Sequence, residues 1–317
     1  MKILLTGGAG FIGSHLLRAF IDTPEIQNII VVDNLITGNI DNIEKVMNHP
    51  KVQFVKGDIR DWDLCRKLTD GVNAICHQAA LGSVPRSIDD PVHSNSHNVD
   101  GTLNIFTAAR EASVKRVVYA SSSSVYGDDE TFPKVEDKVG NPLSPYAITK
   151  KTNELYAKNF GKLFDMEMIG LRYFNIFGLR QSPKGPYAAV IPLFLKAVKN
   201  NTPATINGDG TFSRDFTYVD NAVMANKLAL FTKNPAALNE VFNIACGQNT
   251  TLNELWQMMN RLAGKEIPAK YGPERAGDVP HSLADISRAQ NLLGYDATIS
   301  VEEGLKKLIA HSSEASM

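Results

Sequence analysis

Tyr146 and Lys150, in the stretch Ser144-Pro145-Tyr146-Ala147-Ile148-Thr149-Lys150, have the residue types and spacing to do chemistry together. Four residues apart on a helix, they share a face one turn from each other. An ammonium beside a phenol favours the phenolate and draws a pKa that starts near ~10 toward neutral pH. Tyr146 would then serve as a general base. A second group of hydroxyls, Ser121 to Ser124, closes the β-rich run Arg116 to Ser121 and precedes Val125-Tyr126-Gly127. The carboxyl end of a strand is where open α/β sheets place their ligands.

Glycines provide the other chemistry-bearing pattern. Gly7, Gly10 and Gly13 lie in Thr6-Gly7-Gly8-Ala9-Gly10-Phe11-Ile12-Gly13, after an apolar strand and at the opening of a helix. The first two let the backbone turn and approach a pyrophosphate, the third lets helix pack on strand, and the helix N-terminus faces the anion. Asp33 closes the second strand, where an acid accepts from a ribose 2′-hydroxyl and repels a 2′-phosphate, favouring NAD over NADP. Asn34 and Gly38 follow in the loop. Asp58 and Ile59 end the third strand; Asp58 reads equally as a contact to an adenine amino group and as the N-cap of the next helix.

These residues need a scaffold, and the apolar runs predict one. Strands are expected at Lys2 to Thr6, Ile29 to Asp33, Val52 to Lys56, Ala74 to His77, Arg116 to Ser121 and Met166 to Leu171. Helical spacing falls between them at Phe11 to Asp22, about 61–69, 94–112 and 144–163. Continuous apolar strands alternating with helices predict an α/β fold, a doubly wound parallel sheet of Rossmann type. From about Phe177, Pro and Gly punctuate the chain and shorter helices are expected. The expected division is a nucleotide-binding domain over 1–176, rejoined by 217–245, and a smaller mixed α/β substrate domain from 177–216 and 246–317. Ser312 to Met317 read as a frayed tail.

Composition narrows the classes. The chain has 317 residues, 43% hydrophobic and 21% charged, with net charge −1, so no global attraction draws it to nucleic acid or an anionic membrane. No apolar run is long enough to span a bilayer, and the opening run is too short and glycine-broken for a signal peptide. Cys65, Cys76 and Cys246 lack metal spacing and read as reduced thiols of a cytoplasmic protein. His93 and His97 are four apart, but without a carboxylate or Cys motif beside them they read as two helix-surface residues rather than a metal pair.

Assembled, the segments resemble the extended short-chain dehydrogenase/reductase superfamily, and within it the UDP-hexose 4-epimerases. The resemblance runs nearly the whole length: TGGAGFIG, VVDNL, GDIRD, HQAA, SSSVYGD, SPYAITK, LRYFNIFG, the GDG…RDF block and ERAGDV. It is closest to the branch acting on UDP-N-acetylhexosamines, through ALGSVPRS, PLSPYAITK and INGDGTFSRDFTYV. The resemblance implies Tyr146 as base for the sugar 4-hydroxyl, Lys150 holding the nicotinamide ribose, and Ser122 bonding the 4-oxygen. It implies NAD contacts from Phe11, Ile12, Gln78, Ala79, Ala80, Asn98 and Tyr173 beside the glycine-motif, Asp33 and Asp58 positions. Substrate contacts would come from Ser83, Ser123, Asn175, Ala189, Val190 and Asn207, with Arg214 and Arg275 clamping the diphosphate and Asp278 the uridine ribose. Ser282 stands where a large residue would exclude an N-acetyl group and a small one leaves room for it.

Other members of this superfamily weigh less well. A sugar 4,6-dehydratase or a decarboxylase needs carboxylates beside the catalytic hydroxyl, where this chain has Ser123 and Ser124. A non-catalytic NAD sensor would lack the Tyr/Lys pair. The family also implies a homodimer through two helices, for which Ile105, Phe106, Leu155 and Phe160 read as interface or core.

Overall fold

The computed structural model describes residues 1–183, 188–274 and 279–314. Six strands, β1 (Lys2–Thr6), β2 (Asn28–Asp33), β3 (Val52–Lys56), β4 (Ala74–His77), β5 (Arg116–Ser122) and β6 (Glu167–Tyr173), and a seventh at Val241–Ile244 form one sheet. Its order is β3-β2-β1-β4-β5-β6 and then the seventh strand, every pair parallel. This is the expected doubly wound arrangement, with its switch point between β1 and β4, where ligands enter such sheets.

Period-two alternation explains why the strands read as continuous apolar runs. Ile3 and Leu5 of β1 enter one buried cluster with Leu16, Phe20, Val118 and Phe242. Leu4, between them, enters another on the opposite face with Ile75, Phe106, Val117 and Met168. Both faces are covered, so apolar residues dominate them, and the polar side chains they bury, such as Arg172 and Asn243, are hydrogen-bonded. A third cluster, including Phe177, Phe194, Phe216, Trp256 and Leu305, is distinct from these two and meets the first through Ile12 and Ile176.

Two expectations need correction. The helices after Phe177 are not all short: Val190–Lys199, Leu252–Leu262 and Val301–Glu314 are comparable in length to Phe11–Ile21 and Gly101–Glu111, whereas Ser287–Leu293 is brief. Among the described residues, Pro183, Pro203, Gly208 and Gly210 fall in connections, and Pro192 sits in a first helical turn, where no intrahelical N–H is lost. The last of these helices also carries the chain into the supposed tail. The expected helix over 94–112 is present as a continuous helical stretch, Pro91–Asn95, a π-helical turn Ser96–Asp100 and Gly101–Glu111. Ile105, Phe106 and Phe160 are core residues, whereas Leu155 is exposed. Among the described residues, no helix is long and apolar enough to cross a membrane.

Candidate active site

The glycine turn is built as its sequence requires. Gly7 has φ +69°, and a Cβ there would lie 2.8 Å from Ala79 Cα. A Cβ on Gly13 would meet the Gly7 carbonyl oxygen at 2.1 Å. Gly7 N–H donates to Val32 O at 2.8 Å, binding the turn to β2. The helix that follows, Phe11–Ile21, has no side-chain cap at Gly10 and no acid in its first turn. Its first turn lines the cleft, and no charge of its own opposes an anion there.

Asp33 is buried, and its carboxylate accepts from Ala9 N–H at 3.0 Å and Leu35 N–H at 2.8 Å. Burial pushes its pKa up while these N–H bonds oppose the rise. Gly38 lies directly above it, since a Cβ there would be 2.6 Å from Asp33 Oδ1. For Asp58 the structure excludes the N-cap reading, because Asp61 caps the helix Trp62–Thr69. Asp58 instead accepts from Arg60 N, Nε and Nη2 and from Asn34 Nδ2, at 2.8 to 3.0 Å. Burial alone would raise its carboxyl, but the Arg60 and Asn34 bonds hold it well below the usual carboxylate range.

A cleft of about 290 Å³ unites most of these groups, with Gly38 and Asp58 just outside its lining. It is lined by Gly7, Gly10, Phe11, Ile12 and Gly13, by Asp33, Asn34 and Ile59, by Gln78, Ala79 and Ala80, and by Tyr146, Lys150 and Tyr173. Gln78 is fixed from behind: Tyr173 O–H donates to its Oε1 at 3.1 Å, and Asn226 bonds both residues. Asn98 acts through the cleft's wall, since its amide accepts from Leu81 N–H at 2.7 Å and donates to Leu81 O and Thr149 Oγ1. A Cβ-free cradle, an open helix N-terminus and a buried acid together fit a dinucleotide.

Tyr146 and Lys150 come to this cleft on the helix Pro145–Phe164. Ser144 caps it, accepting from Ala147 N–H at 3.1 Å, and Tyr146 N–H donates to Ser87 Oγ at 2.9 Å. Lys150 is buried, with its ammonium donating to Ala120 O at 2.8 Å and lying 5.9 Å from the Tyr146 ring centre. Desolvation draws its pKa down to about 8, against the pull of Glu154. The expected lowering of Tyr146 by Lys150 is not the main influence on its phenol. Burial pushes the Tyr146 phenol up, and the opposing influence is a hydrogen bond with Ser122.

That bond comes from a short relay. Ser122 Oγ accepts from Ser124 N–H at 3.2 Å and from Ser124 O–H at 2.9 Å. With its acceptor positions taken, the Ser122 proton is left to donate toward the Tyr146 oxygen. Beneath this rim, Ser121 O–H donates to Glu154, which pairs bidentately with buried Arg172 at 2.8 Å. The relay and the paired charges were not legible from spacing, because Glu154 and Arg172 reach the rim from separate elements.

A second cleft, about 270 Å³, gathers Asn175, Ala189, Val190, Asn207 and Arg214 with Phe177, Phe194 and Phe216. Asn175 takes φ +40°, and its amide donates to Asp215 O at 3.2 Å. Arg214 donates to Ser213 O and Pro280 O. Ser282 N–H donates to Ser213 O at 3.1 Å, which places Ser282 beside the Arg214 strand. Ser83 has a strained φ of +114° and caps the helix Val84–Asp89. Ser123 belongs to the half-buried turn after β5. Arg275 and Asp278 lie outside the described residues. The reading of His97 as a helix-surface residue is overturned: it is buried and lines the first cleft. Its partner His93 packs edge-on at 4.4 Å.

Comparison with known proteins agrees with this geometry. The model of the NAD dependent epimerase/dehydratase family matches residues 3–245. A putative UDP-glucose 4-epimerase of Methanocaldococcus jannaschii is 41% identical, over 97% of each chain. The solved UDP-N-acetylglucosamine 4-epimerase of Methanobrevibacter ruminantium, in complex with UDP-N-acetylmuramic acid, superposes with a TM-score of 0.93 at 37% identity, over 99% of this chain and 98% of that one. The UDP-glucose 4-epimerase of Thermotoga maritima, solved with UDP-glucose, gives 0.93 at 33% identity over the whole of both chains. With the family match covering most of its length and the dinucleotide cradle in place, the chain belongs to the NAD dependent epimerase/dehydratase family.

Proposed function

We propose that the protein, an NAD-dependent UDP-sugar 4-epimerase like the relatives it matches, takes UDP-N-acetylhexosamines as its main substrates. The observation that carries the epimerase reading is the convergence of Tyr146, Ser122 and Lys150 at the end of a dinucleotide cleft. Bound NAD supplies the acceptance and return of a hydride at C4. Tyr146, as the phenolate, takes the proton of the 4-hydroxyl and becomes the neutral phenol, while Ser122 O–H donates to the 4-oxygen. Lys150, fixed by Ala120 O, brings a positive charge to the same spot. The 4-keto sugar turns about its diphosphate and receives hydride on the other face. Tyr146 then returns the proton.

The second cleft suits the nucleotide half of the substrate. Arg214 offers a guanidinium to the diphosphate, and Arg275 and Asp278 are assigned to the diphosphate and the ribose with it. The sugar itself meets small polar residues, Ser83, Ser123 and Asn175, which allow rotation. The N-acetyl preference rests on Ser282, whose small side chain adjoins the Arg214 strand. Dehydration and decarboxylation are disfavoured because Ser123 and Ser124 offer no carboxylate. Incubating the protein with UDP-GlcNAc, UDP-GalNAc, UDP-glucose and UDP-galactose, without added NAD, tests the reading. Faster interconversion of the acetylated pair is expected, and faster turnover of the plain pair would overturn the preference.

The proposed organisation assigns 1–176 and 217–245 to NAD, and 177–216 and 246–317 to the UDP-sugar. The separate hydrophobic cluster around Phe177, Phe194 and Trp256 supports this division. A cytoplasmic homodimer completes the proposal. Exposed Ile148 and Leu155 on the helix Pro145–Phe164 and exposed Ile88 and Val92 beside it support such an interface.

A further inference from the structure

The helix Val219–Phe231 packs on β4, β5 and β6 with small apolar residues, Ala222, Ala225 and Ala229. Asn226 interrupts them and is 0% exposed. A buried amide is costly unless its polar atoms are matched, and those of Asn226 are. Its Nδ2 donates to Ala222 O and to the Tyr173 hydroxyl oxygen, each at 2.7 Å, and its Oδ1 accepts from Gln78 Nε2 at 3.0 Å.

With the bond from Tyr173 O–H to Gln78 Oε1 at 3.1 Å, these contacts close a ring of three hydrogen bonds, in which each side chain donates once and accepts once. A carbonyl only accepts, so Ala222 O fixes which end of the Asn226 amide is nitrogen. Oδ1 then faces Gln78, Gln78 turns Nε2 to it, and Gln78 Oε1 is left to take the Tyr173 proton. One main-chain carbonyl thus sets the orientation of all three side chains, and bonds that run one way around a ring strengthen one another.

Gln78 follows β4 and Tyr173 ends β6. Those strands flank β5, whose Ala120 carbonyl holds Lys150. Gln78 and Tyr173 line the first cleft, and Asn226 lies behind them. The ring therefore spans the strand that carries Ser122 and joins its two neighbours into one wall.

We infer that Asn226 is a positioning residue for the redox half of the bound NAD. Without reaching the cofactor, it holds Gln78 and Tyr173 in the one arrangement that retains the nicotinamide end. The inference rests on NAD binding and not on which sugar is turned over.

The protein is loaded with radiolabelled NAD and chased with excess unlabelled NAD, and the label still bound is followed with time. Asn226→Leu, similar in size but without polar atoms, is expected to release NAD roughly tenfold faster than wild type. In a Gln78→Met/Tyr173→Phe background, where both side chains it orients are gone, the same substitution should change release by less than about twofold. A role confined to packing the helix would persist in both backgrounds. In turnover, the loss from Asn226→Leu should fall on kcat, with KM for the UDP-sugar near wild type, because the second cleft shares none of the ring's residues. Asn226→Ala makes the same comparison should the Leu variant fail to fold, and Tyr173→Phe alone replaces the combined background should that fail. Wild-type release by a folded Leu or Ala variant overturns the assignment, as does an effect of equal size in both backgrounds.

Discussion

Around the first cleft, the contacts that set the shape are largely backbone: Gly7 N–H to Val32 O, Gly10 N–H to Gly7 O, and Ala9 and Leu35 N–H to the Asp33 carboxylate. Around the second, side chains reach from separate segments to main-chain carbonyls, as Asn175 does to Asp215 O and Arg214 to Pro280 O. A backbone cradle holds one shape for one cofactor. A wall of side chains on loops can be altered residue by residue, so it is the region where substrate choice can vary while the hydride chemistry is kept.

Tyr146 sits where the two regions meet, and Tyr146→Phe should have the largest effect. Loss of the base predicts a fall in kcat of roughly 10²- to 10⁴-fold, with bound NAD unchanged when the variant's nucleotide content is measured. Arg214→Ala sharpens the contrast from the sugar side. Losing a charge-assisted contact to the diphosphate predicts a drop in kcat/KM of roughly 10- to 100-fold, carried mainly by KM, again with NAD retained. Gly7→Ala is the reciprocal test. A Cβ 2.8 Å from Ala79 Cα at φ +69° predicts roughly tenfold weaker NAD retention, while KM for the UDP-sugar stays near wild type. If Arg214→Ala sheds NAD, or Gly7→Ala alters only KM, the division between the regions fails.

Ser282→Tyr probes a single position of the sugar wall. Turnover of UDP-GlcNAc should disappear while UDP-glucose turnover survives, and equal loss on both would remove Ser282 as the gate. The smallest effect is expected from Ser124→Ala. It removes one of two donors into Ser122 and should lower kcat less than roughly tenfold, with the pH at which Tyr146 becomes active shifted upward.

The same contrast explains how much could be read from the sequence. The glycine turn was legible because a positive φ and a close backbone approach require glycine at one spacing, and the strands because both sheet faces are buried. The pairing of the seventh strand, Val241–Ile244, with β6 was not legible, since it joins segments about seventy residues apart. Asn175, Arg214 and Ser282 could be placed only by resemblance, because no spacing rule links three segments that meet through Ser213 and Asp215. His97 was misread because a π-helical turn shifts side chains off the 3.6-residue period, turning an apparent surface position inward. For Tyr146, helical spacing gives its neighbours but not its desolvation, which is the largest influence on its phenol.

The central claim is that one hydride leaves C4 and returns to the same carbon on the opposite face, within a cleft that holds NAD. UDP-GlcNAc carrying deuterium at C4 tests this most directly, in buffer of ordinary water with no NAD added. The account predicts UDP-GalNAc that retains the label at C4 with no solvent hydrogen at that carbon. Label lost to solvent, or a 6-deoxy-4-keto product, would contradict it.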